Sequence, residues 1–224
     1  MGNPYENKNF NQSYIGYRKD ILSIIPKNVK KVLDVGCSVG ALGELLKKSN
    51  NEIEVVGIEI DEHMAQIAKD KLDKVIVGDI EELDLSKFFD LNYFDCIILA
   101  DVLEHLKNPW DVLKNLTNYL NKNGVIITSI PNIRHYTTIL SLIFKGYWPY
   151  RERGIHDRTH LRFFTLKNIK ELFEYADLKI VTIKRKYRII EHPHPLNIFA
   201  KYFALPIVKD FLTYQYLIVA KKKR

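Results

Sequence analysis

The stretch "KKVLDVGCSVGALGELLKK", residues 30–48, decides the fold. A short apolar run containing Asp34 leads into three small residues at alternate positions, Gly36, Ser38 and Gly40, and a helical pattern follows. Small residues let a ligand approach the main chain, and the start of a helix offers free N–H groups and a positive dipole end. The stretch therefore predicts a buried strand, a ligand-binding turn and a helix.

Strands and helices alternate outward from this stretch. A helix over 13–26 that Pro26 closes precedes it, and Asp61 and Asn108 stand where they would cap later helices. This alternation implies a mostly parallel sheet with helices on both faces, an α/β fold. The further predicted strands are "EIEVVGIEID" (52–61), "KVIVGD" (74–79), "FDCIILAD" (94–101) and "GVIITSIPN" (124–132).

The alternation breaks twice, in about 133–164 and about 187–212. The first segment is aromatic and basic with one helical pattern near 136–144, and the second is rich in His and Pro. Between them Thr165 caps a predicted helix that leads to a strand over 178–186, and "YQYLIVAKK" (214–222) is a final strand. Because no linker separates independent units, we predict one domain, residues 1–224, with two insertions that cover the ligand site.

Composition restricts the class of protein. The chain has 224 residues, 46% of them hydrophobic, a net charge of +7 and two cysteines, both in apolar strand-like runs. Cysteines so placed favour a reduced interior, and no apolar run reaches the ~20 residues that span a bilayer. We therefore expect a cytoplasmic protein without membrane insertion. Basic runs at 184–188 and 221–224 are more typical of a solvated surface than of a nucleic-acid module.

Three carboxylates stand at the ends of three successive predicted strands: Asp34, Glu59 and Asp79. A carboxylate at Glu59 can accept hydrogen bonds from both hydroxyls of a ribose, and one at Asp79 can receive an exocyclic amine such as that of adenine. The dinucleotide motif G-x-G-x-x-G fits poorly, because Ser38 replaces its second glycine. The pattern favours a nucleoside cofactor without a pyrophosphate over an NAD-linked dehydrogenase.

Taken in order, "VLDVGCSVG", "VVGIEID", "VIVGDIEEL", "FDCIILADVLEHLKNP" and "GVIITSIPN" resemble the class I S-adenosylmethionine-dependent methyltransferases. "IRHYTTIL", "HDRTHLRFFT" and "YQYLIVAKK" are similar to small-molecule members that are often encoded with surface-polysaccharide genes. The resemblance implies a Rossmann-like, doubly wound seven-stranded sheet whose last strand is antiparallel. It also implies S-adenosyl-L-methionine as the cofactor.

The resemblance carries cofactor roles onto this sequence. Gly36, Ser38 and Gly40 would face the methionine and ribose parts, and Glu59 would hold the ribose hydroxyls. Adenine would pack on Ile60, with its amine at Asp79 and its ring edge at Ile80. The remaining residues expected at the cofactor are Asp34, Ala100, Tyr17 and Arg18. Tyr17 and Arg18 would close over the cofactor's carboxylate, although their helix could equally just dock on the sheet.

Methyl transfer to a hydroxyl needs alignment of the reacting atoms and removal of a proton. In the resembling family the segment "ADVLEHL" (100–106) lies beside the transferred methyl, which makes His105 the first candidate for a base or an orienting group. Asp101 and His160 complete the expected catalytic set. The alternative is that His105 only hydrogen-bonds its own loop.

Asp101, Glu104 and His105 are also similar to the E-x-x-E-H cluster of ubiquinone-type catechol and small-RNA 2′-O-methyltransferases, which hold a divalent ion there. "THLRFF", with His160, is similar to a later segment of the RNA enzymes. Asp101 is shorter than Glu, and metal-free relatives carry the same letters, so we expect no metal. If one bound, its ligands would be these four residues.

The sequence thus predicts a methyltransferase acting on a small molecule, with a hydroxyl of a sugar or related metabolite as the acceptor. The insertion "YWPYRERGIHDRTHLRFF" (147–164) would cover the acceptor with aromatic faces and with donors such as Arg151 and His156. Two alternatives stay open: an RNA 2′-O-methyltransferase with a metal site, and a catalytically inactive cofactor-binding protein. The oligomeric state is left open.

Overall fold

The computed structural model describes residues 17–223. Its strands are β1 Lys31–Val35, β2 Glu54–Glu59, β3 Lys74–Val77, β4 Phe94–Ala100, β5 Leu120–Pro131, β6 Leu178–Tyr187 and β7 Thr213–Lys222. Its helices are α1 Lys19–Leu22, α2 Ala41–Ser49, α3 Glu62–Ala68, α4 Pro109–Tyr119, α5 Tyr136–Lys145, α6 Leu166–Tyr175, α7 Ala200–Phe203 and α8 Lys209–Leu212.

The strands form one seven-stranded sheet in the order β3-β2-β1-β4-β5-β7-β6. Strands β1 to β5 are parallel, and β7 is inserted antiparallel between β5 and β6. The prediction of a seven-stranded sheet with an antiparallel last strand is confirmed. Strand order reverses between β1 and β4, and ligands of open α/β sheets bind beyond the carboxyl ends of the strands at such a point.

Side chains on both faces of the sheet are buried, as expected for strands covered by helices. One cluster packs around Leu33, Ile97 and Phe173, and a second packs around Val32, Val55 and Ile98. Neighbouring residues of one strand thus serve opposite layers, because successive side chains of a strand point to opposite faces.

Local signals in the sequence set the helix starts. The Asp61 side chain accepts from the Met64 N–H at 2.9 Å, and the Asn108 side chain accepts from the Asp111 N–H at 3.3 Å. Thr165 forms a reciprocal capping box with Asn168. All three predicted caps are confirmed.

The structure corrects two predicted boundaries. The first helix extends over Lys19–Leu22 only, so Tyr17 and Arg18 precede it, and the part of the predicted helix before residue 17 lies outside the described residues. Asp34 is the penultimate residue of β1, paired in register with Gly57 and Ile98, whereas we predicted it at the very end of the strand. Within residues 17–223, no helix has the length and apolar character needed to cross a membrane.

Candidate active site

A cavity of about 570 Å³ opens at the carboxyl ends of β1, β2, β3 and β4, where the fold rule places a ligand. Most of the residues predicted to bind the cofactor line it: Arg18, Asp34, Gly36, Ser38, Glu59, Ile60, Asp79, Ile80 and Ala100. Gly40 and Tyr17 are not part of its lining. Gly40 faces Ala68 and Leu72 at the start of α2, and Tyr17 is 58% exposed.

The turn after β1 is built from left-handed residues. The φ angles of Gly36, Ser38 and Gly40 are +68°, +51° and +73°. A Cβ on Gly36 would lie 2.8 Å from Cγ2 of Val102, which also lines the cavity, so the absence of a side chain there keeps the wall of the cavity open. Ser38 adopts a conformation that glycine accepts at lower cost, and its hydroxyl lies 3.5 Å from Sδ of Met64.

Glu59 is held in place by the main chain. Its Oε2 accepts from the Ser38 N–H at 2.7 Å, and its Oε1 accepts from the Asp61 N–H at 3.0 Å. Each carboxylate oxygen can accept a second hydrogen bond, so both retain capacity toward the cavity. The buried carboxylate is thereby fixed in one orientation at the tip of β2.

Asp34 lies deeper in the cavity wall. Burial, reinforced by the neighbouring charge of Glu59, raises the pKa of Asp34 from 3.8 to about 7, against a smaller lowering by Arg18. A carboxyl group with this pKa is partly protonated near neutral pH. A cationic ligand beside it would favour its ionised form, and the two charges would then attract each other. The wall of the cavity is therefore suited to positive charge.

Asp79 and Ile60 form the rim of the same cavity. Oδ1 of Asp79 accepts from the Glu81 N–H at 2.9 Å, and the Glu81 carboxylate in turn accepts from the N–H groups of Lys107 and Asn108. Ile60 is 65% exposed and offers an apolar face. The rim combines a hydrogen-bond acceptor with a flat apolar surface, which suits a heteroaromatic ring.

A second cavity of about 510 Å³ adjoins the first and shares Arg18, Asp101 and His105 with it. Most of its lining residues have charged or polar side chains, and they come from the 103–105 turn, from both insertions and from the last strands. The residues outside the shared set include Glu104, Arg151, Asp157, His160, Lys186, Arg188, Glu191, Tyr214 and Gln215. The three shared residues thus mark the passage between the two cavities.

Asp101 anchors this passage. Its φ of +60° is strained for a residue with a side chain, and such strain often occurs at functional sites. Its carboxylate accepts from the Ser129 hydroxyl at 2.9 Å, from the Gln215 amide and from the Arg18 guanidinium. Asp101 therefore joins the N-terminal segment to β5 and β7.

His105 belongs to a hydrogen-bonded chain. The Thr159 hydroxyl donates to Oδ1 of Asp157 at 2.7 Å, so its oxygen is left to accept from Nδ1–H of His105 at 3.0 Å. Nε2 of His105 is then the acceptor nitrogen of the ring, and it has no hydrogen-bond partner within residues 17–223. Burial lowers the pKa of His105, so the imidazole is neutral near pH 7.

Glu104 and His160 lie next to His105. One ligand atom from each of the three residues falls within 4.8 Å of the others, and the His105 and His160 rings stack edge to face at 4.7 Å. Nδ1 of His160 is hydrogen-bonded to the Ile155 carbonyl at 3.2 Å, and burial lowers the pKa of His160 to about 4. Its Nε2 therefore carries a free lone pair.

The Glu104 carboxylate is buried, and neither oxygen has a hydrogen-bond partner among the described residues. Burial raises the pKa of Glu104 well above its ordinary value. A buried, unpartnered carboxylate beside two imidazoles could hold a proton or a divalent cation. Of the four metal candidates read from the sequence, the structure brings these three together, whereas Asp101 is engaged with Arg18.

The insertion residues divide into two groups. Arg151 and His160 line the second cavity, whereas Trp148 stacks on His156 and on Phe163. His156 is buried and hydrogen-bonded to Glu191 at 3.2 Å. Among the other basic residues of the insertion, Arg153 also lines the second cavity, whereas Arg162 donates to the Lys107 carbonyl.

Sequence reasoning missed the contribution of the last strands. The register of β5, β7 and β6 places Pro131, Gln215 and Lys186 side by side, and all three line the second cavity. It also missed Thr159 and Asp157, which orient His105. The "D-x-T" spacing of 157–159 carries a signal for the latter pair, because Asp commonly accepts from a hydroxyl and an N–H two residues on.

Comparisons with known proteins agree with this geometry. The sequence model of a family described as "Methyltransferase domain" matches residues 11–183. The chain is 27% identical over 176 residues to a ubiquinone biosynthesis O-methyltransferase of Coxiella burnetii, covering 75% of this chain and 69% of the relative. It is 30% identical over 141 residues to a demethylmenaquinone methyltransferase of Thermotoga maritima, covering 60% of each chain.

Among solved structures, a SAM-dependent methyltransferase from Archaeoglobus fulgidus superimposes with a TM-score of 0.65 at 19% identity, covering 95% of both chains. At this identity the likeness shows the fold. The family match, however, extends over most of the chain and includes every strand tip that lines the first cavity. The strand tips, the cavity and the family match together show that this chain belongs to the methyltransferase-domain family and is an S-adenosylmethionine-dependent methyltransferase.

Proposed function

We propose that the protein transfers the methyl group to a hydroxyl of a polar small molecule, a sugar or a related metabolite. The observation that carries this proposal is the second cavity, which is lined by charged and hydrogen-bonding side chains and meets the cofactor cavity at His105. A molecule with several hydroxyls can satisfy such a lining, whereas an apolar acceptor would leave its polar groups unpaired.

The first cavity fits S-adenosylmethionine. Glu59 would accept from the ribose hydroxyls, Ile60 and Asp79 would hold the adenine, and Asp34 would face the positive end of the molecule. The open wall at Gly36, where a Cβ would meet Val102, leaves room for the ligand beside the main chain. When bound, the cofactor supplies a methyl group already activated on a sulfonium, so the chain has to align the acceptor and handle its proton.

His105 is placed to take that proton. Its Nε2 is a free acceptor at the passage between the cavities, and its other nitrogen is fixed by Thr159 and Asp157. A neutral imidazole held in one tautomer is suited to act as a general base. Asp101 would hold Arg18 and Gln215 in place at the passage through its hydrogen bonds to them. His160 would orient the acceptor beside His105.

The walls of the second cavity would select the acceptor. Arg151 is ion-paired with Glu191 at 2.9 Å, and Nη1 of Arg188 donates to the Glu191 carbonyl at 2.5 Å. The first contact joins the two insertions, and the second fixes Arg188 within the second insertion. Guanidinium groups held in this way present fixed donors toward hydroxyls or an anionic group of the acceptor.

The test is methyl transfer from labelled S-adenosylmethionine to a panel of free sugars, sugar phosphates and nucleotide sugars. Transfer to at least one of them should be lost in His105→Gln, while calorimetry shows S-adenosylhomocysteine binding unchanged. Binding of S-adenosylhomocysteine without transfer to any polyhydroxylated acceptor would reject the acceptor class. A short RNA in the same panel, at low and high salt, tests the nucleic-acid alternative.

A second candidate function is O-methylation of a hydroxyl next to another oxygen on an aromatic ring, with a divalent ion. The Glu104 carboxylate, unpartnered among the described residues and beside two imidazole nitrogens, favours it, and the matched relative from Coxiella is named as an O-methyltransferase of ubiquinone biosynthesis. Glu104, His105 and His160 would hold the ion, which would supply positive charge next to the acceptor oxygens. Transfer to a catechol, but to no sugar, would favour this candidate.

A further inference from the structure

The two insertions expose an unusual amount of apolar side chain. In α5 the four exposed residues Leu140, Leu142, Ile143 and Phe144 include Phe144 at 77% exposure. The segment 196–208 adds Leu196, Ile198, Phe199, Tyr202, Phe203, Leu205, Ile207 and Val208, with Ile207 at 88%. We call these residues together the insertion surface. Exposed apolar groups on this scale mark interaction sites, because soluble monomers rarely leave them uncovered.

The two parts of the insertion surface are joined at their bases. The Tyr136 hydroxyl donates to the Ile189 carbonyl, and Nε2 of His135 is hydrogen-bonded to the Arg188 carbonyl at 3.0 Å. The Asn197 side chain accepts from the N–H groups of Ile189 and Ile190 and so fixes the start of the second segment. Both parts therefore project from one region of the fold.

That region borders the second cavity. Arg151 follows Phe144 by seven residues, His192 and Pro193 lie three to four residues before Leu196, and all three line the cavity. The insertion surface thus lies beside the part of the molecule that we assign to the acceptor.

Charge indicates what covers this surface. Residues 136–150 and 192–209 contain no Asp or Glu, and their full charges are those of Lys145, Lys201 and Lys209. A second copy of the same surface would bring like charges together without a compensating acid. Apolar side chains among lysines instead match an anionic lipid surface, where lysines meet head groups and apolar groups enter the acyl boundary.

We propose that the insertion surface docks the protein on an anionic bilayer as a peripheral protein, without spanning it. The helices on this surface, α5 and α7, have at most ten residues and can lie in the interface only. Docking places the second cavity at the lipid–water boundary. The proposal concerns binding alone and does not depend on the identity of the acceptor.

Sedimentation with vesicles tests it on the full chain. We expect binding to vesicles of 70% phosphatidylcholine and 30% phosphatidylglycerol, and at least tenfold weaker binding to pure phosphatidylcholine or in 0.5 M NaCl. The double variant Phe144→Ser/Ile207→Ser should lose at least tenfold in binding, and Lys145→Gln/Lys201→Gln should lose only the preference for phosphatidylglycerol.

The matched control is Leu91→Ser. Leu91 is 67% exposed but lies before β4, outside both insertions, and its replacement should leave vesicle binding unchanged. Thermal unfolding and S-adenosylhomocysteine binding, unchanged in all variants, establish that each folds. Wild-type protein that stays in the supernatant with both vesicle types would overturn the proposal. So would equal binding by the Phe144→Ser/Ile207→Ser variant, or self-association through this surface without vesicle binding.

Discussion

Replacing the buried acid of β1 by its amide, Asp34→Asn, should stabilise the folded protein and lower its affinity for the cofactor. In the folded chain burial and Glu59 raise the pKa of Asp34 to about 7, against 3.8 in the unfolded chain. Because the pKa of this acid is higher in the folded chain than in the unfolded chain, its ionisation costs more in the folded state and destabilises the fold. The cost develops as pH rises from 3.8 to 7, is constant above 7, and is absent at lower pH.

The magnitude follows from the difference in pKa. About three units at 1.36 kcal/mol each give about 4 kcal/mol at pH 8, and about 1 kcal/mol at pH 4.5. Asn has the shape of the neutral acid and avoids this cost. Urea unfolding of both proteins should therefore show a stability advantage of Asp34→Asn that grows from about 1 to about 4 kcal/mol over this range.

The same group makes cofactor binding pH-dependent. S-adenosylmethionine carries positive charge and favours ionised Asp34, which is about one-tenth populated at pH 6 and about three-quarters populated at pH 7.5. Calorimetry should show affinity that rises about eightfold between these pH values in the wild type and stays flat in Asp34→Asn. A stability gap that does not change with pH, or a flat affinity in the wild type, would refute the reasoning.

Three further predictions follow from the site and the fold. His105→Gln should lower kcat about 10²- to 10⁴-fold because the general base is lost, and an unchanged kcat in a labelled-methyl assay would contradict its role. Gly57→Ala should lower the free energy of unfolding by about 1–3 kcal/mol, because its Cβ would lie 2.5 Å from Sγ of Cys37; a urea midpoint equal to wild type would disprove this. Treatment with EDTA should change the rate of transfer less than twofold if His105 acts as the base, whereas loss of activity restored by Mn²⁺ would assign the role to an ion at Glu104.

The strand tips were predictable because parallel strands bring their carboxyl ends to one edge. Residue spacing alone was therefore enough to predict that Glu59 and Asp79 lie at the cavity that Gly36 lines. Gly40 shows the limit of this reasoning: its left-handed conformation serves the start of α2 and its packing on Ala68. A glycine needed for close packing and one needed for a ligand have the same signature in a sequence.

The second cavity was only partly predictable. His105 and His160 could be paired by resemblance, but the hydrogen bonds that orient His105 depend on how the insertion folds back on the 103–105 turn. That return is fixed by the Leu161 and Arg162 N–H groups, which donate to the Glu104 carbonyl at 2.8 and 2.9 Å. Gln215 reaches the cavity through strand order, which spacing along the chain does not encode.

The position of β7 has a consequence for how the enzyme is built during synthesis. Residues 31–107 contain the walls of the first cavity apart from Arg18 and Thr159, and they leave the ribosome before β5, β6 and β7. Strand β7, which follows β5 and β6 in the sequence, must then enter between them, bringing Tyr214 and Gln215 with it. A nascent chain can therefore form most of the wall of the first cavity well before the second cavity is complete.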